Sequence, residues 1–189
     1  ARLKRIVRQT CQELGKEADL TIIGAEGEMD RSQLNRVVPA LEHILRNAVD
    51  HGLELPKQRA KAKKPAEGDI QLNFGREGSE IVIRISDDGM GINLDLLRKK
   101  AIERELIRPE TKLPDHELIE FILESGFSTA TNVTQISGRG VGMDAIQKFV
   151  NELGGHVELS FTDAASSLNH RRPFEIRISL PNESFVKVA

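Results

Sequence analysis

Apolar residues recur along this chain in two rhythms. Over residues 2–15 they fall at Leu3, Ile6, Val7, Cys11 and Leu14, the spacing of one helix face, with Gly15 as the stop. Residues 18–24 read as a strand. Asp30 is a good N-cap for helical sequence that runs to about His51 and contains Pro39. Proline removes an N–H and clashes with the turn before it. The pattern therefore predicts a short helix near 31–37 and a main helix from Pro39, ended by Gly52. The rhythm then changes to alternation. Ile70, Leu72 and Phe74 share one strand face, as do Ile81, Ile83 and Ile85, and residues 75–79 connect the two strands as a hairpin loop.

Helices are predicted near 94–104 and 115–124. Residues 125–140 are rich in Gly, Ser, Thr and Asn and read as a mobile loop. A helix from Val141 to Leu153 ends at Gly154 and Gly155. Strands near 156–162 and 174–180 flank a polar loop. There is no internal repeat. The order predicts an α+β fold: an antiparallel-rich sheet with helices packed on one face. Regular strand–helix alternation is missing, which excludes a Rossmann-like layout.

A length of 189 residues suits one domain with a substantial core. With 27 basic and 29 acidic residues, the net charge of −2 gives no general attraction to nucleic acid or anionic membrane. There is no Trp or Tyr and only 7 Phe, which argues against a base-stacking platform. Cys11 sits among apolar positions and reads as a buried small residue, not a nucleophile. No apolar run is long enough to span a membrane, and the chain reads as cytoplasmic. It begins in mid-helix without Met, so it is expected to be a piece of something longer. The basic run Lys57–Lys64 has no interleaved aromatic residue. It reads as a solvated short helix or loop.

The candidate chemistry lies in three boxes: HILRNAVDHG at 43–52, DDGMG at 87–91 and SGRGVGMD at 137–144. His43, Asn47 and His51 stand at i, i+4 and i+8, one stripe on one helix face. An amide oxygen and an imidazole can ligate Mg²⁺ alongside phosphate oxygens and water. The competing readings are a solvated face, or Zn²⁺ between the histidines, for which a third strong ligand is missing. Asp87 ends an apolar strand, so it is expected at the bottom of a pocket, where its carboxylate can accept from an exocyclic amine such as that of adenine. Gly89 and Gly91 let backbone approach a flat ring; the alternative is a plain turn. Gly138, Gly140 and Gly142 precede a helix and offer free N–H groups to phosphates, with Arg139 as a further contact. A flexible connector would look the same. Neither GxxxxGK[ST] nor an early GxGxxG is present. Together the boxes describe a pocket for a nucleoside triphosphate and its metal.

The boxes resemble the N, G1 and G2 boxes of the GHKL ATPase superfamily. ESGFSTATNVTQISGRGVGMDAI, residues 124–146, resembles more narrowly the F box, lid and G2 box of the ATP-binding catalytic domain of CheA-type chemotaxis histidine kinases. The resemblance runs from about residue 1 to Pro181. It implies a Bergerat-type two-layer α/β sandwich, with a mixed, mostly antiparallel sheet, helices on one face and a mobile ATP lid. It implies a catalytic domain over 17–183, residues 1–16 as a helix from an upstream dimerisation domain, and 184–189 as the start of a linker toward a receptor-coupling domain. It implies ATP and Mg²⁺ as cofactors and a histidine on a separate phosphotransfer domain as acceptor.

By the same resemblance Asn47 holds Mg²⁺ with His51 beside it, and Asp87, not Asp88, reads adenine. Lys100 lies near the γ-phosphate, and Phe127, Ser128 and Thr129 anchor the lid. Gly138, Gly140 and Gly142 wrap the phosphates. His43 takes the position where hydrolysing members place a glutamate, which favours phosphoryl transfer. Three positions depart from the family pattern. Pro173-Phe174 replaces a Gly-Thr pair whose threonine supports the adenine-reading aspartate, Leu96 replaces a second basic residue, and the F box begins with Ser125. These departures leave a nucleotide-binding scaffold without kinase activity as the alternative. The wording of EGSEIVIRISDDGMG is similar to CheA-like kinases that govern pili and twitching.

Overall fold

A computed structural model describes residues 1–24, 29, 31–124, 127, 142–163 and 171–182. The elements run α1 (Arg2–Leu14), β1 (Ala18–Ile23), α2 (Arg31–Asn47) continuing into a π turn (Ala48–Gly52), and α3 (Pro56–Lys61). Then follow β2 (Gly68–Glu77), β3 (Glu80–Asp87), β4 (Ile92–Asn93), α4 (Leu94–Glu103), and α5 (Asp115–Leu118) with a 3₁₀ turn (Ile119–Leu123). α6 (Met143–Glu152), β5 (His156–Phe161), β6 (Arg171–Arg172) and β7 (Phe174–Pro181) complete the order.

The main sheet has five strands in the order β1-β2-β3-β7-β5. Only β1 and β2 pair in parallel, joined by a crossover through α2 and α3; the other pairs are antiparallel. The mixed, mostly antiparallel α+β sandwich expected from the sequence is therefore the architecture found. Alternation sorts the sheet's two faces. Ile70, Leu72, Ile83, Ile85, Ile176 and Ile178 turn inward and pack with Leu3, Val7, Leu41, Ile44, Leu45, Ile146 and Val150 from α1, α2 and α6. The register places Asn73, Arg84, Arg177 and Glu158 in one cross-strand row on the other face. Glu77 bonds both Arg84 and Arg177 there, and Arg177 also reaches Glu158 at 3.2 Å. A smaller core joins Ile92, Leu97, Ala101, Ile107, Leu118, Ile119 and Phe127 under α4 and α5.

Pro39 does not divide α2, contrary to the sequence expectation. The missing hydrogen bond costs about 3 kcal/mol. Against it, Val37, Leu41, Ile44 and Leu45 are buried, each stabilising the fold by roughly 1.5–3 kcal/mol. The ring itself lies on the exposed side. The hairpin connector is also tighter than expected. Glu77 pairs with Glu80, so only Gly78 and Ser79 turn the chain, with Gly78 at φ 59°. The expected N-cap at Asp30 and the loop 125–140, apart from Phe127, lie outside the described residues.

Candidate functional site

The site gathers where α2 ends and β3 ends. The last turn of α2 widens into a π turn, closed by Leu53 N–H donating to the Ala48 carbonyl at 2.8 Å. Such bulges recur at functional sites. His43 and Asn47 keep the α-helical i, i+4 relation. His51 follows within the π turn. His43 is exposed and Asn47 half-buried. His51 is exposed, with Nε2 3.6 Å from the Asp50 carboxylate.

Lys16, which the sequence did not single out, stabilises this turn. Its ammonium donates to the carbonyls of Val49 at 2.7 Å and Asp50 at 2.6 Å. Burial lowers its pKa, opposed chiefly by Asp50. Replacing Lys16 with Met should leave both carbonyls without that donor and lower stability by about 1–3 kcal/mol, read from a urea unfolding midpoint. An unchanged midpoint would show that the turn holds itself.

The DDGMG turn packs directly on the π turn. Met90 N–H donates to the Gly52 carbonyl at 2.8 Å. A Cβ on Gly52 would stand 3.2 Å from Asp87 Oδ2, and one on Gly89 only 2.1 Å from the Gly52 oxygen. Gly91 has φ 70°, and a Cβ there would meet the Arg172 carbonyl oxygen at 2.4 Å. Backbone is thus in contact with backbone at both glycines.

The two aspartates of this turn have opposite surroundings. Asp88 is fully engaged: Oδ2 accepts from Arg59 at 2.8 Å and Oδ1 from the Asp69 N–H at 2.9 Å. Asp87 accepts only the Gly89 N–H, at 2.9 Å on Oδ1, and no donor among the described residues reaches Oδ2. Burial pushes the Asp87 carboxyl above the usual range. The Gly89 bond opposes this, Asp88 and Glu54 add to it, and Lys64 counters it. A half-buried carboxylate with one oxygen unpartnered offers an acceptor to an exocyclic amine. Ser86 pairs with Glu175, so Asp87 and Phe174 are the next residues outward on neighbouring strands. Phe174 packs against both cores. An aromatic ring, with no donor to offer, therefore follows that last pair.

The basic run needs correction. Lys57, Lys61 and Lys63 are exposed, but Arg59 is fully buried. It donates to the Pro65 carbonyl at 2.6 Å and pairs with Glu54 at 3.6 Å as well as with Asp88. Lys64 reaches the carbonyls of Asp88 and Gly89, each at 2.9 Å, and Glu54 at 3.2 Å. A lysine-rich composition hid one buried guanidinium. Similarly, the polar loop before β7 contains buried Arg172. It bonds Asp115 at 2.9 Å and Asp163 at 3.0 Å and lies over the Phe161 ring at 4.0 Å. Its strand partner is Ile92, which fixes the far side of the DDGMG turn.

Lys100 is half-buried on α4, where burial lowers its pKa and Arg104 adds to the effect. Leu96 lies on the same helix, its N–H capped by Asn93. Phe127 is buried in the smaller core, its ring centroid 6.4 Å from that of Phe121. Gly142 caps α6, and a Cβ there would stand 2.7 Å from Asp144 Oδ1. Ser128, Thr129, Gly138, Arg139 and Gly140 lie outside the described residues. No group of three or more His, Cys, Asp or Glu able to hold a metal converges among the described residues. The half-buried Asn47 carries an amide oxygen, a donor of the kind magnesium takes, and would supply one ligand to such an ion.

A half-buried, half-satisfied carboxylate at a strand end, set against a helix end on a mixed sheet covered on one face, is the candidate site of this α+β domain. Residues 34–184 match the family described as histidine kinase-, DNA gyrase B-, and HSP90-like ATPases, and the chain belongs to it. It is similar to chemotaxis protein CheA of Salmonella typhimurium, 38% identical over 181 residues, covering 96% of this chain and 26% of that protein. It is also similar to the sensor histidine kinase CheAY of Helicobacter pylori, 43% identical over 157 residues, covering 82% of this chain and 20% of that protein. The chain thus spans about a quarter or less of these relatives. In fold it resembles a mycobacterial sensor histidine kinase, MprB, with a TM-score of 0.50 at 19% identity, covering 95% of this chain and 92% of that one.

Proposed function

We propose that this chain is the Mg·ATP-binding catalytic domain of a CheA-type histidine kinase. It delivers the γ-phosphoryl group of ATP to a histidine on a separate phosphotransfer domain. The longer protein would add dimerisation and receptor-coupling domains and act in the cytoplasm. The pathway is chemotaxis-like signalling, of which pilus-driven twitching is the narrower form. The observation that carries the reading is the Asp87 carboxylate, half-buried against Gly52 with Oδ2 open to an adenine amine. Similarity to CheA proteins over most of the chain supports the kinase class.

In this reading Asp87 selects the base, and Gly89 and Gly91 let backbone pack close around it. Asn47 presents its amide to the metal, with His51 at the turn that follows. Magnesium, when bound, neutralises charge on the phosphates. His43 orients the γ-phosphoryl group or exchanges a proton with it. Gly138, Gly140 and Gly142 wrap the phosphates with Arg139 beside them, Lys100 faces the γ-phosphate, and Phe127, Ser128 and Thr129 anchor the lid. Catalysis is mainly positioning and charge neutralisation, so a glutamate to activate water is not needed.

Replacing Asn47 with Ala should weaken Mg·ATP binding at least about tenfold and leave metal-free ATP binding nearly unchanged, as read by titration calorimetry. Equal losses in both would remove Asn47 from the metal. The second reading, a scaffold that binds nucleotide without transfer, is favoured by Phe174 following the strand pair beside Asp87. Labelled phosphate from γ-labelled ATP appearing on a cognate histidine domain would exclude it. Binding without transfer would establish it.

A further inference from the structure

We infer that Arg59 is a positioning residue that decides which of the two adjacent aspartates reads the base. The inference rests on the assignment of Asp87 as base reader. Asp87 and Asp88 are neighbours at a strand end, so their side chains leave the backbone in opposite directions. One must face the α3 side and the other the Gly52 side. Arg59 is buried and its donors are spread over several acceptors. Nε donates to the Pro65 carbonyl at 2.6 Å, and Nη2 to Asp88 Oδ2 at 2.8 Å and the Glu67 carbonyl at 3.4 Å. Nη1 donates to the Asp88 carbonyl at 3.4 Å and stands 3.6 Å from Glu54. The guanidinium thus ties α3 and the segment after it to the side chain and backbone of Asp88. Lys64 adds the carbonyls of Asp88 and Gly89, each at 2.9 Å.

With Asp88 held on that side, Asp87 is left on the Gly52 side, anchored through one oxygen by Gly89 and open through the other. A lysine cannot replace Arg59. Three donors radiating from one nitrogen cannot span five acceptors arranged around a planar fork. Arg59 touches neither base nor phosphate in this assignment and acts only through the turn.

The test compares affinities of the chain for ATP and for inosine triphosphate, which has a carbonyl where adenine has its amine. The wild-type chain should prefer ATP by roughly 10- to 100-fold. Arg59→Lys should erase most of that preference by weakening ATP alone, with inosine triphosphate affinity held within about threefold. Asp88→Asn, which keeps shape and leaves Arg59 in place, should do the same to a smaller degree. It decides the matter if Arg59→Lys does not fold. Preserved preference in both variants would overturn the role of Arg59 and leave Asp87 as base reader. Equal loss of both nucleotides would also overturn it, as a purely structural effect. A wild-type chain without preference would overturn the Asp87 assignment itself, and this inference with it.

Discussion

Gly89→Ala should eliminate measurable nucleotide binding while Gly75→Ala leaves it intact. A Cβ at Gly89 would stand 2.1 Å from the Gly52 oxygen and 2.7 Å from Asp87 Oδ1. Neither neighbour can yield cheaply. The first is backbone of the π turn that follows Asn47. The second is the carboxylate proposed to read the base. Relief of the contact must push the DDGMG turn away from α2, separating the proposed base reader from the helix proposed to hold the metal. A displacement of about 1 Å in such a site can cost on the order of 100-fold in phosphoryl transfer. Overpacking should also lower stability by about 1–3 kcal/mol. A Cβ at Gly75 would meet nothing within 4 Å, which makes it the matched control. If Gly89→Ala binds ATP as the wild type does, the close approach of the two segments is not required.

The second expectation concerns Asp87→Asn, whose effects on binding and stability should be opposite. Asparagine keeps an oxygen for the Gly89 N–H but removes the half-buried charge. Nucleotide binding should weaken by roughly 1.5–3 kcal/mol, because a charged acceptor for the amine is lost. The nucleotide-free fold should become more stable by about 0.5–2 kcal/mol at neutral pH, the trade seen when a strained functional group is relieved. Burial raises the Asp87 carboxyl above its unfolded value, so the native state binds more protons between the two values. Its stabilising contribution is complete below the unfolded value of about 3.9 and is lost as pH rises through the raised one. The advantage of Asp87→Asn over wild type should therefore shrink as pH falls toward 4. Melting temperatures across about pH 4–8 without nucleotide test this. A difference independent of pH would show that Asp87 is not charged and buried in the folded chain.

The elements with clean periodicity were legible in the sequence. The alternation of Ile81, Ile83 and Ile85 and the helical spacing of Leu3, Val7 and Cys11 became buried faces as expected. Asp87 was legible because an apolar strand ends on it. Pro39 was misread, since local propensity carried no weight for the apolar face it would have sacrificed. Arg59 and Arg172 were missed because their partners, Asp88 and Asp115, are 29 and 57 residues away. Lys16 was missed for the same reason, with its acceptors 33 and 34 residues distant.

Sequence alone determined two of the segments that meet: a helix bearing His43 and Asn47, and a strand ending at Asp87. Periodicity and residue chemistry are local properties, and they suffice to name the class of site. Tertiary structure alone decided which aspartate is free and which is consumed, and that α2 runs on into a π turn. It also decided that backbone at Gly52 and Gly89 must touch. Those outcomes depend on contacts between segments distant in the chain, where burial and hydrogen-bond partners are settled only once the sheet has closed.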